Sequence, residues 1–182
     1  LSDRFNEKRI KSRQGQIESV ARACGFHDVF KLNFQTTRLD SIPFADIVEK
    51  ISKIIKKLSP QTIYLPHGGD VHTDHKITHN AVIASTKSFN VPSVRKMISY
   101  EVVSETEFAM PYAKDAFLPN LFIDITPYMD RKIEIMKLYK GELKEFPFPR
   151  SERNIKALAT FRGATMGARY AEAFMLLREF QT

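Results

Sequence analysis

The chain has 182 residues, 43% hydrophobic and 27% charged, with a formal net charge of +7. That length suits one domain with its own buried core, and the composition excludes a disordered chain. A single cysteine, Cys24, excludes an intrachain disulfide and a cysteine-rich structural zinc site, and it points to a reducing compartment, the cytoplasm.

Residues 6–24 place Ile10, Ile17, Val20, Ala21 and Cys24 at helical spacing, and Gly25 supplies a stop. Residues 27–34 alternate apolar and polar and predict a short strand. A polar loop, 35–43, leads to an amphipathic helix over 44–58. Its apolar stripe is Phe44, Ile47, Val48, Ile51, Ile54, Ile55 and Leu58, and Ser59-Pro60 ends it. Thr62 to Leu65 reads as a buried parallel strand. A loop with Gly68-Gly69 follows, then a helix over about 75–88. Residues 96–102 and 121–125 read as further strands. A helix is expected over 127–143, another over 151–159, and a last one over 166–180. Strands alternating with helices imply an α/β sheet with helices on both faces. Ligands in such sheets collect at the carboxyl ends of strands.

The loop after Thr62–Leu65 lies at such an end. Four of the five histidines fall there, in Pro66-His67-Gly68-Gly69-Asp70-Val71-His72-Thr73-Asp74-His75-Lys76-Ile77-Thr78-His79. Imidazoles and carboxylates hold Zn²⁺ and similar ions, and further carboxylates orient the metal-bound rings. The stretch therefore reads as a metal or acid–base site. Solvated loop histidines are the bland alternative. A self-contained zinc site of His72, His75 and His79 is another, since His75 and His79 share a helix face. No Glu stands between those two as in His-Glu-x-x-His proteases, which argues against a protease.

The positive charge lies on both flanks, and residues 60–130 are acidic. With no accompanying motif, nucleic acid is not the expected partner. No apolar run reaches the ~18–20 residues of a membrane span, and the first residues lack the apolar stretch of a signal peptide.

The motif His67-Gly68-Gly69-Asp70-Val71-His72-Thr73-Asp74-His75 resembles the second motif of the PIG-L/LmbE-like family of metal-dependent N-deacetylases. Other segments match in the same order. Arg13 with Ala21 to Gly25 resembles the family's Arg-containing helix, and Arg38-Leu39-Asp40 its Asn-Arg-Leu-Asp loop. Ser104-Glu105-Thr106-Glu107-Phe108 resembles its Ser-Thr-Glu-Trp segment. Pro119 to Ile125, Pro147 to Ser151, Phe161-Arg162-Gly163 and Ala171 to Phe174 complete the series. The family's opening Ala-His-Pro-Asp-Asp-Glu motif is not in this sequence, and Gln16 stands where the family commonly has Glu.

The resemblance implies a Rossmann-like, mostly parallel sheet, with the first strands missing, in a single LmbE-like domain over residues 1–182 that is incomplete at its N-terminus. It implies a metal-dependent hydrolase that removes an N-acetyl group from an amino sugar or its conjugate by attack of metal-bound water on the amide. His75 is the implied metal ligand, for Zn²⁺ or alternatively Fe²⁺. His72 is the implied acid or oxyanion partner, and Asp74 the implied orienter of a histidine. Arg13 and Arg150 are the implied contacts to substrate phosphate or hydroxyl groups. The expected partner is an amino-sugar small molecule, with no membrane span, and homo-oligomers are common among related enzymes. With one of three expected ligands, the 182-residue species is expected to bind zinc weakly. The competing reading is a non-catalytic partner-binding or scaffold domain of the same fold, inactive because the first metal motif is absent.

Overall fold

A computed structural model describes residues 7–181. The elements in chain order are α1 (Glu7–Cys24), α2 (Phe44–Leu58), β1 (Thr62–Pro66), α3 (Thr73–Ser85), β2 (Lys96–Tyr100), β3 (Leu121–Asp124), α4 (Met129–Leu138), α5 (Glu152–Met166) and β4 (Ala171–Glu179). Asn6, the first residue of the expected opening helix, lies outside the described residues. The chain packs as two compact units, one of residues 32–123 with 172–181, the other of residues 7–31 with 124–171.

The four strands form one sheet in the order β1-β2-β4-β3. β1 and β2 are parallel, with Leu65 beside Ser99 and Pro66 beside Tyr100. β4 lies antiparallel to β2, placing Tyr100 beside Phe174. The α/β class and the parallel pairing of Thr62–Leu65 hold. The sheet is mixed, because β4 runs opposite to β2.

In the first unit, α2 and α3 pack beside β1. Ile55, Leu65, Val82, Val91, Val94 and Met97 form its apolar core, with Ile51 and Ile63 against it. Burying such side chains stabilises the fold by roughly 1.5–3 kcal/mol each. Ser59 ends α2 in the left-handed region (φ 46°), its N–H bonded to Ile55 O at 2.8 Å. In the second unit, Ile125, Met129, Ile133, Ile155 and Ala159 make a separate core. Gly25 (φ 73°) stops α1, and the Phe26 N–H reaches back to Ala21 O at 2.9 Å, which satisfies an orphan carbonyl.

Three expectations fail. Residues 27–34 form no strand among the described residues, since alternation makes a strand only where a ladder forms. The expected helices over 151–159 and 166–180 become α5 and β4: the helix runs on to Met166, Gly167 (φ 79°) stops it, and the last segment joins the sheet. α4 ends at Leu138, short of residue 143. No helix among the described residues is long and apolar enough to cross a membrane.

Candidate functional site

Parallel pairing brings the carboxyl ends of β1 and β2 side by side, and the His67 N–H donates to Tyr100 O at 3.1 Å. The chain then turns through Gly68-Gly69. A Cβ on Gly69 would stand 2.1 Å from Asp115 O and 2.5 Å from His67 Nε2, so only glycine permits this approach. His67 is buried, bonds through Nε2 to Asp115 O at 2.9 Å and meets the Phe117 ring edge-on. His79 bonds through Nδ1 to Pro66 O at 2.9 Å. Both rings brace the loop through backbone carbonyls. His72, His75 and His79 do not converge, which removes the self-contained zinc site: among the described residues no three His, Cys, Asp or Glu side chains group to hold a metal.

The turn drives Asp70 into the interior, where it is 0% exposed. Its Oδ2 accepts from His75 Nδ1 at 2.7 Å and its Oδ1 from Thr106 Oγ1 at 2.6 Å. A carboxylate only accepts, so Nδ1 of His75 carries a proton, and in the neutral ring Nε2 keeps a bare lone pair. His72 has the opposite arrangement. It caps α3, and its Nδ1 accepts the Asp74 backbone N–H at 3.1 Å. The neutral ring then carries its proton on Nε2. The two rings stack, with centroids 4.8 Å apart and planes 16° apart. One imidazole presents a lone pair and its neighbour a donor.

Asp74 stands one residue from His75 but does not hold its ring. Its carboxylate accepts the backbone N–H groups of Thr37 at 2.6 Å and Leu39 at 3.2 Å, so it ties down the Arg38-Leu39-Asp40 loop. The carboxylate that meets the His75 ring is Asp70. An open cavity of about 320 Å³ adjoins Asp74, lined on its apolar side by Leu32, Phe34, Leu39, Ile47 and Ile51. Tyr100 at the end of β2 is a further site residue the sequence reading passed over. Burial, then the negative charge of Asp70, push its phenol above the usual value.

Arg13 and Arg150 belong to the other compact unit, and one carboxylate joins them. Arg13 Nη2 pairs with Glu142 Oε1, and Arg150 Nη1 with Glu142 Oε2 at 3.0 Å. Arg13 also lies over the Tyr139 ring, 5.3 Å from its centroid. Two guanidiniums sharing one carboxylate leave a net positive charge, and the buried Nε of Arg150 has no hydrogen-bond partner. Nothing in the spacing of the sequence signalled Glu142, which lies 129 residues from Arg13.

The sequence model of the family described as GlcNAc-PI de-N-acetylase, PIG-L, covers the segment that holds this loop. Residues 2–86 match the PIG-L family. The fold extends the likeness beyond that segment. The N,N'-diacetylchitobiose deacetylase from Pyrococcus horikoshii superposes with a TM-score of 0.72 at 21% identity, over 92% of this chain and 64% of its own. The conserved protein TT1542 from Thermus thermophilus gives 0.71 at 19%, over 94% and 75%. The A40926 pseudoaglycone deacetylase Dbv21 gives 0.64 at 16%, over 94% and 72%. At these identities the likeness establishes an LmbE-like fold, in agreement with the motif series. The chain spans just under two thirds of the length of the archaeal deacetylase.

Proposed function

We propose that residues 1–182 form a single LmbE-like domain of a metal-dependent N-deacetylase acting on an amino sugar or its conjugate. The observation that carries this reading is the stacked pair His72 and His75 with opposite tautomers. His75, oriented by a buried carboxylate, presents a bare Nε2 of the kind that binds a divalent ion. His72 presents an Nε2–H.

His75 fits a metal ligand, and it is the one ligand that this reading assigns to the described residues. A divalent ion such as Zn²⁺ or Fe²⁺, when bound, polarises a carbonyl and makes water a better nucleophile. The protein's own part is positional. His72 donates its Nε2 proton toward the amide oxygen as negative charge grows there, a contribution stronger in the transition state than in the ground state. Asp74 fixes the start of α3 and the 37–39 loop, so that the rings and the adjoining cavity keep their places. Arg13 and Arg150, with net charge left after pairing to Glu142, suit phosphate or hydroxyl groups of the substrate. The cytoplasm is the proposed location, and the proposed partner is a small amino sugar rather than a nucleic acid.

In the enzymatically active protein, His75→Ala should abolish metal content and deacetylation of an N-acetylated amino sugar together. Retained zinc and turnover would remove the proposal. The competing reading is a non-catalytic binding domain of the same fold. Assay of the protein against an N-acetylated amino sugar with Zn²⁺ separates the two, since turnover lost in His75→Ala supports the enzyme and no turnover supports the scaffold.

A further inference from the structure

Asp70 is held from a part of the chain that lies outside the histidine motif. Thr106 accepts the Val102 N–H on its Oγ1 at 2.8 Å, and its own N–H returns to Val102 O at 2.9 Å. This two-bond turn fixes the Thr106 side chain. A hydroxyl has a single proton, and here it points to Asp70 Oδ1 at 2.6 Å. The same turn grips the motif a second time, through the Val71 N–H to Glu105 O at 3.2 Å. Asp70 is fully buried, so no water shares the load, and each carboxylate oxygen has one protein donor. Removing one donor from a buried carboxylate leaves a lone pair unsatisfied and is unfavourable.

We propose that Thr106 is a positioning residue: through Asp70 it fixes the orientation and tautomer of His75, keeping Nε2 free to bind a ligand. The hydrogen bonds run in one direction, from the Val102 amide to the Thr106 hydroxyl to Oδ1. On the other oxygen, His75 Nδ1–H completes the clamp. Without the hydroxyl, Asp70 turns to recover a donor, and the imidazole loses the partner that holds its proton on Nδ1. Free imidazole side chains prefer the proton on Nε2, the wrong nitrogen for a ligand.

The functional consequence rests on the reading of His75 as a metal ligand, but the test does not need turnover. Long-range nitrogen–proton spectra of the ¹⁵N-histidine-labelled, metal-free chain report the tautomer of each ring. In the wild type His75 should be the Nδ1–H form. Thr106→Val, which keeps the shape and removes the hydroxyl, should move His75 toward the Nε2–H form and weaken Zn²⁺ affinity by about 10–100-fold. Thr106→Ser, which keeps the hydroxyl, should retain the wild-type tautomer and affinity. An unchanged His75 tautomer in Thr106→Val would overturn the proposal. So would a shift in Thr106→Ser as large as that in Thr106→Val. Should Thr106→Val not fold, Thr106→Ser and the wild-type tautomer still decide, because an Nε2–H His75 in either contradicts the clamp. A tautomer that responds in a chain without deacetylase activity would sink the enzyme reading and leave this role standing. An unresponsive tautomer in an active enzyme would do the reverse.

Discussion

Replacing Gly69 with alanine adds one carbon where there is no space for it. The new Cβ would lie 2.1 Å from Asp115 O and 2.5 Å from His67 Nε2. Non-bonded heavy atoms attract at about 3.5–4.0 Å, so both contacts are deep in the repulsive region. The imidazole could swing aside, but a backbone carbonyl cannot. The 113–117 segment must therefore retreat and break the bond from His67 to Asp115. Overpacking of this kind costs about 1–3 kcal/mol. Stranding the buried His67 nitrogen adds about 1–3 kcal/mol. The expected loss is thus roughly 2–6 kcal/mol, or about 4–24 °C in Tm for a chain of this size. Gly15→Ala is the control. It lies in α1 with nothing within 4 Å of the added carbon, and there alanine should stabilise by about 0.5–1 kcal/mol. Urea unfolding of both variants reads the two signs, with m unchanged. A Gly69→Ala midpoint within error of wild type would refute the close approach that this site is built on.

Two further outcomes follow from single residues. Ser151 caps α5 by accepting the Asn154 N–H at 3.2 Å and is itself buried. Ser151→Ala should cost about 1 kcal/mol in urea unfolding, and a neutral result would show that the cap contributes nothing. The Tyr100 phenol is raised by burial and by Asp70, so the folded chain holds that proton more tightly than the unfolded chain. Its contribution to stability is complete below the ordinary tyrosine value, near 10, and is lost as pH rises through the folded value. Stability measured from pH 9 to 11 should therefore fall less steeply in Tyr100→Phe than in wild type, and equal slopes would contradict the assignment.

The candidate site was largely legible as a list of residues. His72, Asp74 and His75 lie within four positions of one another, and a short loop must keep them near a strand end. Their division of labour was not legible. The resemblance implied Asp74 as the orienter of a histidine, and its backbone N–H does meet His72. At the start of a helix, however, its carboxylate meets the amides of the 37–39 loop, and the deeper Asp70 takes the ring. Thr106 and Glu142 come from distant segments, and no local pattern marks a residue whose function depends on a contact across the fold. Arg13 and Arg150 were each singled out alone, and only packing shows them sharing Glu142.

Local sequence determined what local physics controls. The apolar stripe of 44–58 fixes α2 to the residue, since a helix closes its hydrogen bonds within itself. Gly25 and Ser59-Pro60 mark real ends for the same reason. Strands differ because their hydrogen bonds belong to a partner. Residues 27–34 have the alternation of a strand but join no ladder among the described residues. Residues 171–179, rich in Ala, Glu, Leu and Met, have the composition of a helix, yet the chain lays them against β2. There the ladder bonds and the burial of Ala171, Ala173 and Phe174 outweigh a helix preference of a few tenths of a kcal/mol per residue. The place of β4 in the sheet, and the orientation of the site side chains at the ends of β1 and β2, were decided by tertiary structure.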